Sequence, residues 1–177
     1  MNAFLSLDQL GKRICIVGPS NSGKSTLARA ISVKTGLPVV HLDQLHHQPN
    51  SAWIPRPHEE FLRLHQKAIE GENWVMDGNY GKCIPSRLVH ATGIILIDIP
   101  RFTALYRYIM RCYSTKPRVG GIGIQKEHPT GEMVKHILHD SPKSHQRYRE
   151  LFNHAPIAKI LLSSPREVAQ LYDRWQL

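Results

Sequence analysis

The sequence predicts an α/β fold, with a five-stranded parallel sheet that carries helices on both of its faces. Five short apolar segments alternate with segments whose composition suits helices, and chains with this pattern form parallel sheets that helices cover on both sides. The segment 94–99 is apolar at every position except Asp98, which is typical of a strand buried on both faces. The predicted strands are residues 13–17, 39–42, 73–76, 94–99 and 157–162.

Helices are predicted between these strands from their end signals. Gly36 is suited to end the first helix, and Ser164-Pro165-Arg166-Glu167 is a capping box that starts the last one. The predicted helical segments before the last one are residues 24–35, 57–69, 103–113, 132–139 and 143–152. No repeat or linker interrupts the pattern, so we expect residues 1–177 to form a single domain.

The most specific motif lies between the first strand and the first helix. Residues 18–25 match G-x-x-x-x-G-K-S in the strand, loop and helix context of a phosphate-binding loop. Its glycines let backbone N–H groups face an anion, and the helix start adds its positive end. Lys24 would reach the outer phosphates, and Ser25 would offer its hydroxyl to Mg²⁺. The candidate nucleotide-binding residues in this loop are Gly18, Ser20, Asn21, Ser22, Gly23, Lys24, Ser25 and Thr26.

Three aspartates lie at or near the ends of predicted strands, where ligands bind in parallel sheets. Asp77 is expected on the Mg²⁺ side, opposite Ser25. Asp43 is expected on the acceptor side, where it would act as the base if the acceptor is a hydroxyl. Alternatively, Asp77 and Gly78 would form a hairpin turn, and Asp43 would only cap a loop. Asp98 is interpreted as structural.

The positive charge of the chain is concentrated in one region. The formal net charge is +9, and residues 101–149 contain ten basic and three acidic residues, an excess of seven positive charges. Clustered basic residues predict a phosphate-rich ligand, but charge alone does not separate a nucleotide from nucleic acid or a membrane surface. These residues are Arg101, Arg107, Arg111, Lys116, Arg118, Lys126, Lys135, Lys143, Arg147 and Arg149, against Glu127, Glu132 and Asp140.

Three arginines of this region are candidates for binding ATP. Arg107 and Arg111 are four residues apart on a predicted helix, so both project from one face. With Arg118 in the glycine-rich loop that follows, they would close over the ATP phosphates, and the alternative is a solvated basic face. Arg147 and Arg149 are two residues apart, so at most one of them is expected to face the site.

Composition argues against several other classes of protein. No stretch approaches the roughly 20 apolar residues that span a membrane. The three cysteines lack Cys-x-x-Cys spacing, which indicates a reducing compartment, and we expect a cytoplasmic protein. A zinc site would need three or four converging ligands, so the histidines are interpreted as solvated or phosphate-facing. The histidines considered for zinc are His46, His47, His128, His136, His139 and His145.

Several motifs together carry a family resemblance. They are residues 18–26, His41-Leu42-Asp43, Trp53, residues 74–80, residues 96–101, Arg107 and Arg111. On these residues the chain resembles the P-loop nucleoside-monophosphate-kinase-like family, and within it the small bacterial adenylate-kinase-related or topology modulation proteins. The resemblance implies a P-loop NTPase three-layer sandwich with strand order 2-3-1-4-5, and the use of ATP and Mg²⁺. It also implies an acceptor-binding segment at about residues 44–72 and a lid at about residues 112–145.

The chain differs from adenylate kinases on the acceptor side. Those enzymes carry one arginine soon after the aspartate-glycine pair and another near the start of the acceptor segment. Here Asn79 and Tyr80 follow the aspartate-glycine pair. Gln44 starts the acceptor segment, and the first arginine of that segment is Arg56. Because arginine forks hold a monophosphate bidentately, AMP is disfavoured as the acceptor. Trp53 and Tyr80 would either stack on a planar acceptor or pack within the core or lid.

These observations predict ATP- and Mg²⁺-dependent phosphoryl transfer to a small acceptor, as in nucleotide kinases. The predicted catalytic residues are Lys24, Asp43, Arg107 and Arg111, and the predicted Mg²⁺ residues are Ser25 and Asp77. The alternatives are a nucleic-acid-associated P-loop ATPase and a nucleotide-binding regulator with little turnover. The sequence has no helix-turn-helix, zinc-finger or aromatic-basic RNA-binding motif, so we expect only weak, non-specific binding of nucleic acid and no membrane partner.

Overall fold

The structure is a computed structural model that describes residues 5–115, 117–123 and 128–177. Within residues 140–144 it describes the backbone and not the side chains. Part of the predicted lid and of the predicted basic cluster therefore lies outside the described residues. The charged residues concerned are Lys116, Lys126 and Glu127, together with the side chains of Asp140 and Lys143.

Five parallel strands form one sheet in the order β2-β3-β1-β4-β5. The fold class and the strand order are as predicted. The strands are β1 Arg13–Val17, β2 Val39–His41, β3 Trp74–Asp77, β4 Gly93–Ile97 and β5 Ala158–Leu162. Two predicted ends were too late: β2 stops at His41, because α3 begins at Leu42, and β4 stops at Ile97, where residues 98–100 leave the strand. Strand β3 runs one residue further than predicted, so Asp77 belongs to it.

Helices connect the strands and cover the sheet. They are α1 Leu7–Leu10, α2 Lys24–Thr35, α3 Leu42–His46, α4 His58–Ile69, α5 Ile84–His90, α6 Arg101–Cys112, α7 Gly131–Lys135, α8 Ser141–His154 and α9 Pro165–Trp175. A π-helical segment, His136–Asp140, joins α7 to α8. The sequence did not predict α1, α3 or α5, which have four, five and seven residues. Such helices span too few turns to show a clear apolar period.

A glycine ends helix α2, and side-chain hydrogen bonds mark the start of helix α9. Gly36 ends α2 with a φ of 75°, a conformation that glycine adopts without strain. The Ser164 hydroxyl caps α9 by accepting a hydrogen bond from the Glu167 N–H at 3.2 Å. The Glu167 carboxylate accepts from the N–H of Ser163, one residue before the partner that a capping box predicts. The predicted start of α9 is correct.

The core has two halves, one on each face of the sheet. Alternate residues of β1 supply them: Ile14 and Ile16 face one half, and Cys15 and Val17 face the other. Helices α1, α2, α6 and α9 contribute to the first half, and α3, α4, α5 and α8 to the second. Because both faces are covered, the central strands are buried along their length and hold the loops at the sheet edge rigidly.

Two other predictions concerned membrane-spanning segments and the cysteines. None of the described helices has the length and apolar character needed to cross a membrane. The three cysteines, Cys15, Cys83 and Cys112, are free thiols, and all three are buried. They act as small apolar side chains in the core.

His65 gives the stability of the fold a testable dependence on pH. Its side chain lies on α4 and is 3% exposed, and its Nε2 has no hydrogen-bond partner among the described residues. Burial and the nearby charge of Arg87 lower the pKa of His65 from 6.5 to about 4. The folded protein therefore resists a proton that the unfolded chain accepts below pH 6.5.

We expect acid to destabilise the protein through His65 by about 1.4 kcal/mol per pH unit between pH 6.5 and 4. Urea unfolding at pH 7 and pH 5 would measure this loss, which should be about 2 kcal/mol. His65→Phe keeps a ring beside Phe61 and removes the titrating group, so its stability should fall less over the same range. Equal losses for both proteins would contradict the assignment.

Candidate nucleotide-binding site

The predicted site residues meet at the carboxyl edge of the sheet. They line one open cavity of about 860 Å³ between the phosphate loop, α3, the end of β3 and α6. Of the thirteen predicted residues, Gly18 alone does not line it. The lining residues are Ser20, Asn21, Ser22, Gly23, Lys24, Ser25, Thr26, Asp43, Asp77, Arg107, Arg111 and Arg118.

Gly18 has a different role, at the point where β1 turns into the loop. Its φ is 148°, and a Cβ placed there would lie 2.2 Å from the carbonyl oxygen of Ile97. Its N–H donates to the Asn79 Oδ1 at 3.2 Å. The absence of a side chain at residue 18 therefore allows the loop to start against β4 and the turn after β3.

The loop presents unpaired polar groups to the cavity. Gly23 starts α2 with a φ of 98° and no side-chain cap, so the first N–H groups of the helix face the cavity. The Asn21 Oδ1 and the Ser22 Oγ are buried without a hydrogen-bond partner among the described residues. Buried polar atoms without partners are costly, but of these two only the Ser22 hydroxyl can donate to an anion, because the Asn21 Oδ1 only accepts hydrogen bonds.

Lys24 extends across the loop. Its Nζ donates to the carbonyl oxygen of Pro19 at 2.7 Å. The pKa of Lys24 is lowered to about 8, chiefly by burial; the charges of Asp77 and Asp43 oppose the change, and those of Arg118 and Arg111 add to it. A phosphate anion beside the Nζ would raise this pKa again, so protonation of Lys24 and anion binding favour each other.

Ser25 and Asp77 are in direct contact. The Ser25 hydroxyl donates to the Asp77 Oδ2 at 2.6 Å. The Asp77 Oδ1 forms a short hydrogen bond with the Nδ1 of His41. Asp77 is 4% exposed and His41 is 8% exposed. The hairpin alternative for Asp77 is wrong, because Asp77 ends a parallel strand that pairs with β1 and β2.

Sequence reasoning did not single out His41 as a site residue. The parallel register pairs His41 with Asp77 across β2 and β3. A strand order with β2 beside β3, combined with the rule that functional residues lie at strand ends, was the signal that could have found it.

The donor set fits Mg²⁺. A hydroxyl and a carboxylate oxygen lie together beside the phosphate loop, and Mg²⁺ typically takes one or two protein oxygens with waters and phosphate oxygens. Within the described ranges, no three histidine, cysteine or acidic side chains come together as metal ligands. A metal ion here would therefore rely on Ser25, Asp77 and the nucleotide itself.

Asp43 lines the cavity from α3. It was expected near the end of a strand, but it is the second residue of the short helix α3. Its Oδ1 accepts from the Tyr80 hydroxyl at 2.9 Å, and its Oδ2 accepts from the Arg118 Nη2 at 3.1 Å. Burial, followed by the charge of Asp43, raises the pKa of Tyr80, so the phenol stays a hydrogen-bond donor. The Asp43 side chain remains 35% exposed to the cavity.

The arginines divide between the two sides. Arg107 Nη1 donates to the carbonyl oxygen of Ser22 at 2.8 Å, which places it against the phosphate loop. Arg111 lines the same side, and its guanidinium lies 5.6 Å from the ring centre of Tyr108. Arg118 was expected over the phosphates, but its guanidinium pairs with Asp43 and lies 4.5 Å from the ring centre of Trp53.

Asp98 lies apart from this cavity. It pairs with the His145 Nδ1 at 2.7 Å and with Arg149. These hydrogen bonds, that of His145 first, lower the pKa of Asp98. The three side chains line a separate cavity of about 610 Å³ beyond Pro19. The structural interpretation of Asp98 agrees with this geometry.

Arg147 and Arg149 point to different places on the protein. Arg147 reaches the carbonyl oxygen of Gly81 at 3.4 Å, whereas Arg149 binds Asp98. This separation follows from their spacing of two residues on α8.

Aromatic rings pack behind Asp43. The Tyr80 ring centre lies 4.6 Å from that of His46 and 5.1 Å from that of Phe61. The Trp53 ring centre lies 5.1 Å from that of His47. Both rings therefore pack within the structure, while the Arg118 guanidinium covers Trp53 as a planar ligand could.

Arg87 and Asn79 are further residues that sequence reasoning missed. Arg87 on α5 is fully buried and donates to the carbonyl oxygens of Gly78 and Asn79. The Asn79 side chain in turn holds the Gly18 N–H. No sequence signal marked Arg87, because helix α5 itself was not predicted.

Several solved structures are similar to this chain. A shikimate kinase from Aquifex aeolicus vf5 is 18% identical, with a TM-score of 0.52 over 93% of this chain and 96% of that chain. A shikimate kinase from Bacteroides thetaiotaomicron is 14% identical, with a TM-score of 0.55 over 94% and 99%. A deoxyadenosine kinase from M. mycoides with bound dATP is 13% identical, with a TM-score of 0.50 over 93% and 100%.

These likenesses define the class of fold. The chain has the α/β fold of small P-loop kinases, with a five-stranded parallel sheet in the order 2-3-1-4-5. No family model matches the chain. No curated protein matches it either. At these identities the likeness establishes the fold and leaves the chemistry to the site itself.

Gly18→Ala tests the close approach that starts the loop. The added Cβ meets the Ile97 carbonyl oxygen at 2.2 Å, and its φ of 148° is one that L side chains rarely adopt. We expect a loss of about 2 kcal/mol or more in the free energy of unfolding. Gly131→Ala is the control, because no atom lies within 4 Å of its Cβ position. A similar stability for both variants would contradict the constraint at Gly18.

Proposed function

We propose that this protein transfers the γ-phosphoryl group of ATP to a hydroxyl of a small acceptor, in the manner of nucleotide kinases. The observation that carries the proposal is the arrangement of one cavity. Lys24 and Ser25 of the phosphate loop line it together with Asp77 at the end of β3, and Asp43 lines it from α3. Phosphoryl transfer needs positioning and charge neutralisation on one side and an oriented nucleophile on the other.

The donor side would bind the nucleotide. The loop N–H groups, Lys24 and the arginines Arg107 and Arg111 would surround the phosphates and offset the charge of the transferring group. Ser25 and Asp77 would hold Mg²⁺, which when bound neutralises charge on the phosphate oxygens. The start of α2 has no side-chain cap, so its first N–H groups are open to an anion, which supports a ligand at this place.

The acceptor side favours a hydroxyl over a phosphate. Asp43 would accept the hydroxyl proton as the acceptor oxygen bonds to the γ-phosphorus and the bond to ADP breaks. A fixed arginine for a phosphate acceptor is missing from the expected places. Within residues 44–72, Arg56 is paired with Glu60 at 3.0 Å on the flank of α4.

We propose that residues 44–72 bind the acceptor and that the lid spans about residues 112–145. The described loop 117–123 contacts the acceptor segment directly. The Gln44 Nε2 donates to the carbonyl oxygen of Gly121 at 2.9 Å, and the Asn50 N–H donates to that of Ile122 at 2.6 Å. These few bonds join the loop to the proposed acceptor segment, and a lid must break and remake such bonds at each turnover.

Two alternatives remain as outcomes of the tests. A nucleic-acid-associated ATPase of the topology modulation type would use the basic region as a binding face. A nucleotide-binding regulator would bind ATP with little turnover. The kinase proposal fits a cytoplasmic protein, where ATP is available and thiols such as Cys15 stay reduced.

Two substitutions separate donor and acceptor roles. Lys24→Ala should lower ATP turnover about a thousandfold or more, because it removes the loop's own cation. Asp43→Asn should lower phosphoryl transfer about a hundredfold or more and leave ATP affinity within about threefold. Labelled ATP with a panel of small hydroxyl compounds would measure transfer.

The exposed residues Lys34 and Asp173 offer matched controls, as Lys34→Ala and Asp173→Asn. Neither substitution should change transfer. Turnover of Lys24→Ala within about tenfold of the wild type would remove the central claim.

Salt dependence separates the kinase from a nucleic-acid ATPase. Binding of a labelled DNA oligonucleotide should be weak, independent of sequence and steeply reduced by salt, because only charge drives it. ATP affinity should change less with salt, since backbone N–H groups contribute to it. Tight DNA binding that persists at physiological salt and in saturating ATP would favour the nucleic-acid alternative.

A further inference from the structure

Both carboxylate oxygens of Asp77 are fixed by neighbouring side chains. Ser25 donates to one oxygen, and the Nδ1 of His41 lies within hydrogen-bond distance of the other. A carboxylate only accepts hydrogen bonds, so the Nδ1 must carry the proton that joins them. The ring of His41 therefore sets the rotation of the Asp77 carboxylate about its last bond.

His41 also contacts the loop 117–123. A Cβ at Gly120 would lie 2.8 Å from the His41 Nδ1 and 3.2 Å from the Ser25 Cβ. The φ of Gly120 is 70°, which again suits glycine. The backbone of the loop thus rests on the same ring that orients Asp77, with no side chain between them.

We propose that His41 is a positioning residue with two tasks. Its Nδ1 orients Asp77 toward the metal ion that accompanies the nucleotide. Its ring is the surface against which Gly120 of the loop 117–123 packs when the lid closes. The proposal rests on the proposed function only in assigning Asp77 to the metal side. Closure of the lid and orientation of Asp77 therefore occur together, because both depend on the His41 ring.

Physical reasons support a specific role for this ring. Hydrogen-bond partners of metal-binding carboxylates commonly change metal affinity by about 10–100-fold when they are removed. His41 is 8% exposed at the end of β2, opposite Asp77 in the register, so its ring cannot turn away without disturbing the strand. The packing at Gly120 leaves no room for a methyl group.

Two substitutions at His41 separate hydrogen bonding from packing. His41→Phe keeps a ring under the loop and removes the donor, whereas His41→Asn places an amide donor near the position of the Nδ1. We expect Mn²⁺ binding to the protein–ATP complex, followed by electron paramagnetic resonance, to weaken about 10–100-fold in His41→Phe. His41→Asn should stay within about threefold of the wild type. ATP affinity without a divalent ion should be the same in all three proteins.

The contact between Gly120 and the His41 ring can be tested without any nucleotide. Gly120→Ala should increase amide hydrogen exchange in residues 117–123 by about tenfold, because the added methyl group lifts the loop from His41. Gly131→Ala is the matched control, since its Cβ meets no atom within 4 Å. His41→Phe should leave this exchange close to that of the wild type.

Several results would overturn the proposal. They are wild-type Mn²⁺ affinity in His41→Phe, an equal loss in His41→Asn, absence of Mn²⁺–ATP binding by the wild type, and unchanged exchange in Gly120→Ala. Failure of the proposed function has a different signature. In that case no acceptor is phosphorylated, while Mn²⁺ binding still depends on His41 and loop exchange still depends on Gly120.

Discussion

The close approach of β1 to β4 at Gly18 is the constraint on which the rest of the site depends. The loop can begin only where the chain passes the Ile97 carbonyl oxygen without a side chain. The Asn79 side chain then holds the Gly18 N–H, and the buried Arg87 holds the carbonyl oxygens of Gly78 and Asn79. A chain of hydrogen bonds thus runs from the core of one sheet face to the first residue of the phosphate loop.

The charges in the cavity are arranged in opposing pairs. Lys24 lies among Asp77, Asp43, Arg118 and Arg111, and its pKa reflects all four together with its burial. Arg118 neutralises Asp43 in the absence of an acceptor. Asp43 and Arg118 therefore serve as internal counterparts for each other, which limits the cost of holding these two groups partly out of water. Ligands would exchange these internal partners for their own charges.

The sequence predicted the fold class, the strand order and most strand positions, because each rests on a strong local signal or a short motif. The helix 24–35 was correct at both ends, since a phosphate loop starts it and Gly36 ends it. The short helix α3 was not predicted, and so Asp43 was placed near a strand end instead of on a helix.

The sequence predicted which residues line the site better than it predicted the partners that these residues contact. Arg118 was assigned to the phosphates from its place in a basic loop, but Asp43 and Trp53 hold it through contacts between distant parts of the chain. His41 and Arg87 carry no motif, and their roles depend on the register of β2 with β3 and on an unpredicted helix. Such roles follow from tertiary packing, which local patterns do not encode.

The burial of Arg87 has a consequence for the electrostatic field of the whole site. Its Nη1 and Nη2 donate to carbonyl oxygens, whereas its Nε is buried without a hydrogen-bond partner among the described residues, and no carboxylate of those residues pairs with it. Dissolved ions cannot surround a charge inside the protein, and the interior screens it weakly. Its influence already reaches two neighbours: it adds to the lowering of the pKa of His65 that burial causes, and it opposes the rise that burial causes in the pKa of Cys15. A steady positive potential therefore originates beneath the turn that holds Gly18, from a side chain that no ligand touches and that added salt reduces little.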